Sequence, residues 1–458
     1  MPYLARGACR LSAEPALRDI LILAVFLLGA LYALRRPFVG LQLYNWISIM
    51  NPHRLGWGPA ASLPLAMAAA GITLIGLLRN PTEAHFPRDR NLYLMLALWA
   101  FVTVTTIFSF YPTDAWVIWQ GVSKTFVMAV VAASLLTTRQ RVLAFVLAIV
   151  AFVGFYGIKG AVFSVLTGGQ FRVWGPEGSA LGDNNAVGLA LVMIVPFCFF
   201  LRGTTSKRWH SFALLLTGLA SVVSAALTYS RGALIGLAAF GAFSLLFSKR
   251  KLVVGPALAL IVAVGSAVLP PHWFDRMSTI QSFESDRSAE MRLNSWRMSF
   301  NLAKANPLGG GFDCFTMEQY YNYAPDPELG RTRSGVASTA HSIYFEVMAM
   351  HGFTGFVLYM TCLGSMLAAL LGIGRRARGH PQGAWIAPYT RAFAVSILAF
   401  LACAAFQSKA FFDVFWMIYT GAIGFCIVAR SSLQVETPAR PRVADLQSVL
   451  RPTAEESR

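Results

Sequence analysis

The chain has few charged residues. They make up 13% of its 458 residues, against about 25% in ordinary soluble domains. Hydrophobic residues, by contrast, reach 56%, a balance that excludes an ordinary soluble globular protein. The apolar runs are about 20 residues long, which is the length of a membrane-crossing helix and about twice that of a barrel strand. We therefore predict an all-α polytopic membrane protein.

Acidic residues are especially scarce. The chain has 21 Asp and Glu residues against 38 Lys and Arg residues, which gives a formal net charge of +17. In a soluble protein such a surplus would suggest a nucleic-acid partner. No nucleic-acid-binding motif accompanies it, and much of the excess lies in short loops, where positive charge sets membrane topology. We expect membrane lipids as partners and no nucleic acid.

Patterns that hold metals or cofactors are also missing. The six cysteines are scattered and form no Cys-x-x-Cys pair, so neither a disulfide framework nor a zinc site is supported. The acidic residues of 270–340 form no Asp-x-Asp pair of the kind that holds the ion in metal-dependent transferases. The stretch 306–311 (Asn-Pro-Leu-Gly-Gly-Gly) lacks the Gly-Lys-Ser/Thr of a Walker A loop and predicts a helix stop and a turn. We expect no metal and no cofactor.

The apolar runs predict about twelve membrane spans. The basic segment 1–18 has no small-residue cleavage site after it, so the first run is expected to be an uncleaved span. The run 37–50 is too short for a comfortable span and predicts a re-entrant or interfacial helix. The predicted spans are 18–34, 60–78, 92–110, 115–136, 142–166, 185–202, 210–228, 231–248, 252–269, 341–372, 388–408 and 411–430.

Basic residues cluster in alternate loops, which must therefore share one side of the membrane. The positive-inside rule makes that side cytoplasmic and turns the long polar segment 270–340 towards the periplasm. The clusters are Arg79, Arg88 and Arg90; Arg139 and Arg141; Arg202, Lys207 and Arg208; Lys249, Arg250 and Lys251; and Arg375, Arg376 and Arg378.

Twelve spans put both chain ends in the cytoplasm but leave Arg35 and Arg36 on the periplasmic side. A thirteenth span at 37–50 would remove that conflict, yet it would place the basic residues before the first span outside, so we favour twelve. The predicted domains are the N-terminal helices 1–269 with about nine spans, the periplasmic loop 270–340, the three spans of 341–430, and a disordered cytoplasmic tail, 431–458.

Polar groups collect in 270–340 and at the start of the run that follows, where solubility does not require them. In a membrane protein such groups mark chemistry. His341 opens that run at its outer end. It either caps a helix or acts as a general base, because an imidazole with a pKa of about 6.5 can take a proton from a hydroxyl at neutral pH; we favour the base. His351 and Glu346 fall on other faces of the same helix, and His351 is predicted to be structural.

Two arginines are candidates for anion binding. Arg231 lies at the outer end of a span without an acidic residue near it in sequence, so an anionic ligand is favoured over interfacial snorkelling. Arg292 and Trp296 are four residues apart on a helical pattern, so the ring can hold the guanidinium towards a phosphate. The alternative is a solvated charged face with Glu290 nearby. Arg287, on the same segment, is a further candidate for substrate binding.

Three other residues are candidates for substrate contacts on the outer side. Arg172 adds positive charge in the loop 167–184, Asn185 follows that loop, and Ser342 adjoins His341. Asp183 in the same loop is expected to cap the next helix.

Three short motifs resemble those of bacterial O-antigen ligases. The stretch 341–355 (His-Ser, nine residues, then Gly-x-x-Gly) is similar to the family's histidine motif. The stretch 230–232 (Ser-Arg-Gly) resembles the opening of the region that ligases and polymerases share. The stretch 292–311 (Arg-x-x-x-Trp, later Pro-Leu-Gly-Gly-Gly) resembles a segment of the family's outer loop. The similarity covers about 210–360.

The resemblance implies transfer of a glycan from undecaprenyl diphosphate to an acceptor on the periplasmic face of the bacterial inner membrane. Arg231 and Arg292 would stabilise the departing diphosphate, while His341 would deprotonate a hydroxyl, most simply of a lipid A–core sugar. Neither nucleotide nor metal would be needed, and in-line attack would invert the anomeric centre. The stretches 50–55 and 173–185 resemble a subgroup of O-glycosylation ligases.

Two alternatives stay open. An O-antigen polymerase or a protein O-oligosaccharyltransferase of the same superfamily would differ only in its acceptor. A transporter of polyisoprenoid-linked glycans would predict inverted repeats and charged residues near the middle of the membrane, whereas the polar groups here collect at one face.

Overall fold

A computed structural model describes residues 14–434, apart from 57, 206, 249–250, 269, 272, 275–286 and 333. Over these residues the chain is helical and has no named strand, so the predicted all-helical class is confirmed. The described α-helices, numbered here in chain order, are α1 (Glu14–Ala33), α2 (Pro37–Asn45), α3 (Leu65–Arg79), α4 (Arg90–Ile107), α5 (Pro112–Leu135), α6 (Arg139–Leu166), α7 (Asn184–Leu201), α8 (Arg208–Ala226), α9 (Arg231–Phe247), α10 (Lys251–Val268), α11 (Arg287–Ala305), α12 (Met317–Tyr323), α13 (Ile343–Arg376), α14 (Gly383–Ala404) and α15 (Asp413–Gln434).

Several helices begin at residues that supply a side-chain cap. The carboxylates of Asp89 and Asp183 and the hydroxyl of Thr138 accept hydrogen bonds from backbone N–H groups in the first turns of α4, α7 and α6. These N–H groups have no partner within their own helix, so a capping oxygen fixes the position at which each helix starts.

Eight of the described helices, α4–α8 and α13–α15, are long and apolar enough to cross a membrane. The apolar helices α3 and α9 are shorter. The chain is therefore a multi-pass membrane protein, whereas the number of twelve spans stays a prediction.

Two ion pairs and one cation–π contact join several basic loops at one end of the helices, which we call the basic end. The pairs are Arg141 with Glu83, Arg430 with Asp89, and Arg139 with the ring of Trp385. Because these partners come from the loops before α4, α6 and α14 and from the end of α15, the prediction that alternate loops share a side is confirmed for them.

The start of the chain differs from the prediction. Arg36 lies at the basic end, with its guanidinium 3.0 Å from a carboxylate oxygen of Glu83. Arg18, near the start of α1, instead donates to the carbonyl of Leu55 at 2.8 Å. The assignment that left Arg36 away from the basic loops is therefore wrong. The positive charge of Arg35 and Arg36 had itself favoured the alternative with a further span at 37–50, and the ion pair with Glu83 adds a partner far along the chain.

The short run 37–50 also connects the two ends of the molecule. It forms α2 and a π-helix, Trp46–Met50, that directly continues it. The hydroxyl of Tyr156, in the second half of α6, donates to the carbonyl of Met50. A re-entrant or interfacial helix was expected here. The run instead leads from the basic end to the opposite end, which holds His341 and which we call the site end.

Residues 287–340 form a compact cap at the site end rather than an extended loop. In the described part of the cap, α11 and α12 enclose a small apolar core. Polar bonds join its parts, since Asn294 exchanges two hydrogen bonds with the backbone of Asp326, at 2.7 and 3.2 Å. The core consists of Met298, Leu302, Cys314, Phe315, Tyr320 and Ala340 from the cap and Ala349 from α13.

The helix α13 is kinked at Gly352, which has φ +65° and ψ −175°. The glycine turn at the end of α11 fills the break: the N–H groups of Gly310 and Gly311 donate to the carbonyls of Ala349 and Met350, both at 2.8 Å. A Cβ atom at Gly352 would lie 2.0 Å from the carbonyl oxygen of Pro307. The predicted helix stop after Ala305 is confirmed, and the amides of the turn cap a helix rather than cradle a phosphate.

Candidate functional site

The first part of the site is a tight turn that presents Arg231. Thr228 and Ser230 are buried, as is Tyr229, which has a positive φ of +58°. The hydroxyl of Ser230 caps α9 by accepting from the N–H of Ala233 at 3.3 Å. Arg231 is the first residue of α9 and is half-buried. The guanidinium is therefore carried by a rigid backbone at the site end.

Gly232 explains why the turn can pack so closely against its neighbour. A Cβ atom at this position would lie 2.9 Å from the carbonyl oxygen of Cys403 and 3.1 Å from the amide nitrogen of Gln407. Both distances are tighter than side-chain carbons ordinarily tolerate. The start of α9 thus lies directly against the segment 403–412, which joins α14 to α15 and which we call the joining loop.

His341 also contacts the joining loop. Its backbone N–H donates to the hydroxyl of Ser408 at 2.9 Å. Its φ of +46° lies in the left-handed region, which few non-glycine residues occupy and which costs about 1–3 kcal/mol. Such strain persists only where the surroundings enforce it, and it clusters at functional sites.

Trp296 fixes the residue before His341. Its indole N–H donates to the carbonyl of Ala340 at 2.9 Å. Its ring stacks on Phe345 of α13, with centroids 4.9 Å apart and planes 7° from parallel. Helix α11 and the start of α13 are therefore clamped together on both sides of the histidine.

Charged groups surround the His341 side chain. The residue is exposed, so its ring can exchange protons with solvent, yet nearby protein atoms replace part of its water and lower the pKa of the imidazole. The guanidinium of Arg292 lowers this pKa further, whereas the carboxylate of Asp183 raises it. The net shift is downward, which favours the neutral form of the ring that can accept a proton.

Asp183 is bound on two sides. One carboxylate oxygen accepts from the N–H groups of Asn185 and Ala186 at 2.9 and 2.8 Å, as expected for the cap of α7. The other lies 3.1 Å from the ammonium of Lys409 in the joining loop. Consecutive residues of that loop, Ser408 and Lys409, therefore bind His341 and Asp183.

Comparison with known families assigns the two halves of the chain differently. Residues 17–206 match a family model described as a family of unknown function, DUF5935. Residues 216–360 match the family model described as O-Antigen ligase. The match over residues 216–360 supports an O-antigen ligase-like family. No curated protein matches the chain.

This family implies a membrane enzyme of the glycosyltransferase type, of the ligase or polymerase kind, with lipid-linked glycan and membrane lipids as partners. Arg231, Arg292 and His341 all lie within the O-antigen ligase match. Asp183 lies in the other matched region, and the joining loop lies beyond both. The site of this O-antigen ligase-like protein is therefore assembled from three parts of the chain.

The remaining predicted substrate contacts vary in position. Arg172 is exposed in the loop before α7, and its charge lowers the pKa of Tyr229, which burial raises. Asn185 is exposed at the start of α7. Ser342 is buried and is the N-cap residue of α13. The side chain of Arg287 lies outside the described residues. Their roles in binding stay predictions.

Two other polar residues of α13 connect it to the rest of the molecule. His351 is buried against Phe312 and Phe411, with its Nδ1 2.7 Å from the hydroxyl of Thr105. Glu346 accepts a hydrogen bond from the N–H of Ala410 at 2.9 Å. These contacts support the prediction that His351 is structural and give Glu346 the task of holding the joining loop.

Sequence reasoning missed the joining loop and the second partner of Asp183. One signal was available: Lys409 is a basic residue in a loop predicted to face outwards, against the rule that places such residues in the cytoplasm. Among the described residues no group of three or more His, Cys, Asp or Glu side chains converges as a metal site. Metal independence stays a prediction.

Proposed function

We propose that this protein transfers an O-antigen glycan from undecaprenyl diphosphate to a sugar hydroxyl of lipid A–core, on the periplasmic face of the bacterial inner membrane. One observation carries the proposal. The turn that carries Arg231 and the backbone of His341 both contact the joining loop, and the charge of Arg292 reaches the ring of that histidine. A base and cations that suit a diphosphate are thereby brought together.

The reaction follows from these charges. The acceptor oxygen attacks the anomeric carbon while its proton passes to His341. The bond from that carbon to the diphosphate breaks, and the leaving group takes the electron pair. Arg231 and Arg292 stabilise the negative charge that develops there, because a guanidinium stays charged and grips two phosphate oxygens at once. Attack opposite to the leaving group inverts the anomeric centre.

Arg172, in the loop that ends at Asp183, and the exposed Asn185, at the start of α7, lie close to Asp183 in sequence. We therefore propose that they bind the glycan or the acceptor. Arg287 and Ser342 are assigned to substrate binding on the same grounds of position. The polyprenyl chain remains in the bilayer, so membrane lipids surround the donor.

Transfer by the purified protein tests the proposal. The reaction contains lipid-linked O-antigen and lipopolysaccharide without O-antigen. Arg231→Ala and Arg292→Ala are each expected to lose about 1.5–3 kcal/mol of stabilisation, or roughly one to two orders of magnitude in rate. Arg231→Lys should recover little, since an ammonium cannot replace the guanidinium fork. Arg208→Ala, an exposed change at the basic end, is the matched control.

His341→Ala distinguishes a glycan transferase from a transporter of lipid-linked glycans. It should reduce transfer by about 100-fold or more while donor binding persists. His351→Ala should reduce transfer per folded molecule much less, although loss of its buried contacts lowers stability. Normal transfer by His341→Ala would remove the base from the mechanism. Transfer only to a second glycan, or only to a protein, would reassign the enzyme as a polymerase or a protein O-oligosaccharyltransferase.

A further inference from the structure

Asp183 has more contacts than a helix cap requires. A cap needs one acceptor oxygen, and Oδ1 alone accepts from both Asn185 and Ala186. Oδ2 is directed to Lys409 at 3.1 Å, and the pair is partly exposed, with 42% of the Asp183 side chain and 29% of the Lys409 side chain accessible. Surface ion pairs of this kind contribute little to stability. The pairing is therefore better explained by its electrostatic effect on neighbouring side chains.

The neighbour of this ion pair is His341. Ser408, which precedes Lys409, accepts the hydrogen bond from the His341 N–H. The same short loop therefore contacts both the Asp183 carboxylate and the backbone of His341, which carries the imidazole. The charged groups facing this region come from four elements: Arg292 on α11, Asp183 before α7, Lys409 in the joining loop and Arg231 at the start of α9. Two charged groups are known to act on the His341 ring: Arg292 is positive and Asp183 is negative.

We propose that Asp183 is a positioning residue for catalysis: its carboxylate stabilises the imidazolium that forms when His341 takes the acceptor proton, and Lys409 holds that carboxylate in place. The inference rests on the proposed function of His341 as the base. It adds a carboxylate to oppose the charge of Arg292, which by itself disfavours imidazolium formation. A base must become charged during the reaction, and a nearby opposite charge favours that form.

Asp183→Asn tests the role without removing the cap, because asparagine caps a helix about as well as aspartate. We expect transfer to fall about tenfold, the effect of one screened opposite charge beside an imidazole. Asp183→Glu should recover part of the rate. The rise of the rate with pH should also move to lower pH in Asp183→Asn, because the carboxylate no longer favours the protonated ring.

A second measurement needs no transfer activity. Diethyl pyrocarbonate modifies neutral imidazoles, and the exposed His341 can be followed by peptide mass spectrometry. The pH midpoint of its modification should fall in Asp183→Asn. Lys409→Met removes the group that holds the carboxylate, so its transfer rate should fall towards that of Asp183→Asn. An unchanged midpoint and a normal rate in Asp183→Asn would show that Asp183 is a cap only.

The two measurements separate the inference from the function on which it rests. If the midpoints shift as expected but the wild type transfers no glycan, the coupling of Asp183 to His341 stands and the proposed reaction fails. If the wild type transfers glycan and the midpoints do not shift, the reaction stands and the role of Asp183 is overturned.

Discussion

Gly352 gives the most direct test of how the cap and α13 fit together. Gly352→Ala would place an L-residue at φ +65°, which costs about 1–2 kcal/mol. The new Cβ would lie 2.0 Å from the carbonyl oxygen of Pro307, so the backbone of one partner must move. That movement endangers the hydrogen bonds that Gly310 and Gly311 make to α13, each contributing about 1 kcal/mol. We expect a total loss of about 3–4 kcal/mol.

The same helix offers a matched control. A Cβ atom at Gly364 would meet no atom within 4 Å, so Gly364→Ala should stabilise the helix by about 0.5–1 kcal/mol. Both variants can be unfolded by heat in detergent and followed by tryptophan fluorescence. Gly352→Ala should melt several degrees below the wild type, and Gly364→Ala at or above it. Equal melting temperatures for the two would refute the interlocked kink.

Four other predictions follow from the site and its placement. The transfer rate should rise with pH with a midpoint below about pH 6.5, the usual pKa of histidine, because protein atoms and a nearby cation lower the pKa of His341; a rate that falls with rising pH would exclude a neutral base. Transfer should continue in excess EDTA, and full loss that Mg²⁺ restores would contradict metal independence. With Cys9→Ser as background, Asn322→Cys on the exposed face of the cap near Asp326 should react with an impermeant thiol reagent in spheroplasts, since the other cysteines are buried; labelling only after lysis would reverse the predicted topology. Trp296→Phe keeps the stacking surface but loses the bond to Ala340, so the rate should fall about fivefold, as for one neutral hydrogen bond; an unchanged rate would show that this bond does not position the base.

Local signals in the sequence predicted much of the helical framework. The end of α11 follows from Asn306-Pro307, and the start of α7 follows from Asp183 as a cap. Composition and apolar run length were enough for the class, because a bilayer admits few backbone solutions. The motif residues Arg231 and His341 were predicted from sequence, since charge at an outer helix end has few structural explanations, and their roles stay predictions.

What the sequence could not predict depends on partners far along the chain. Gly352 was part of a sequence motif, but the reason that no side chain fits there is the carbonyl oxygen of Pro307, which packs against it. The position of Arg36 follows from Glu83. Nothing local connects Ser408 with His341 or Lys409 with Asp183, because tertiary packing alone brings these pairs together.

The joining loop has a consequence for how the protein is made. Ser408 and Lys409 precede the last described helix, so they leave the ribosome after every motif residue of the family match. A nascent chain that ends after α13 carries both arginines, the histidine and the Trp296 contact beside it, but it still lacks the bond from His341 to Ser408 and the ion pair between Asp183 and Lys409. Under the proposed function, activity would therefore arise late in biosynthesis, when the final helical hairpin has entered the bilayer, and a truncated chain would be inserted yet inert.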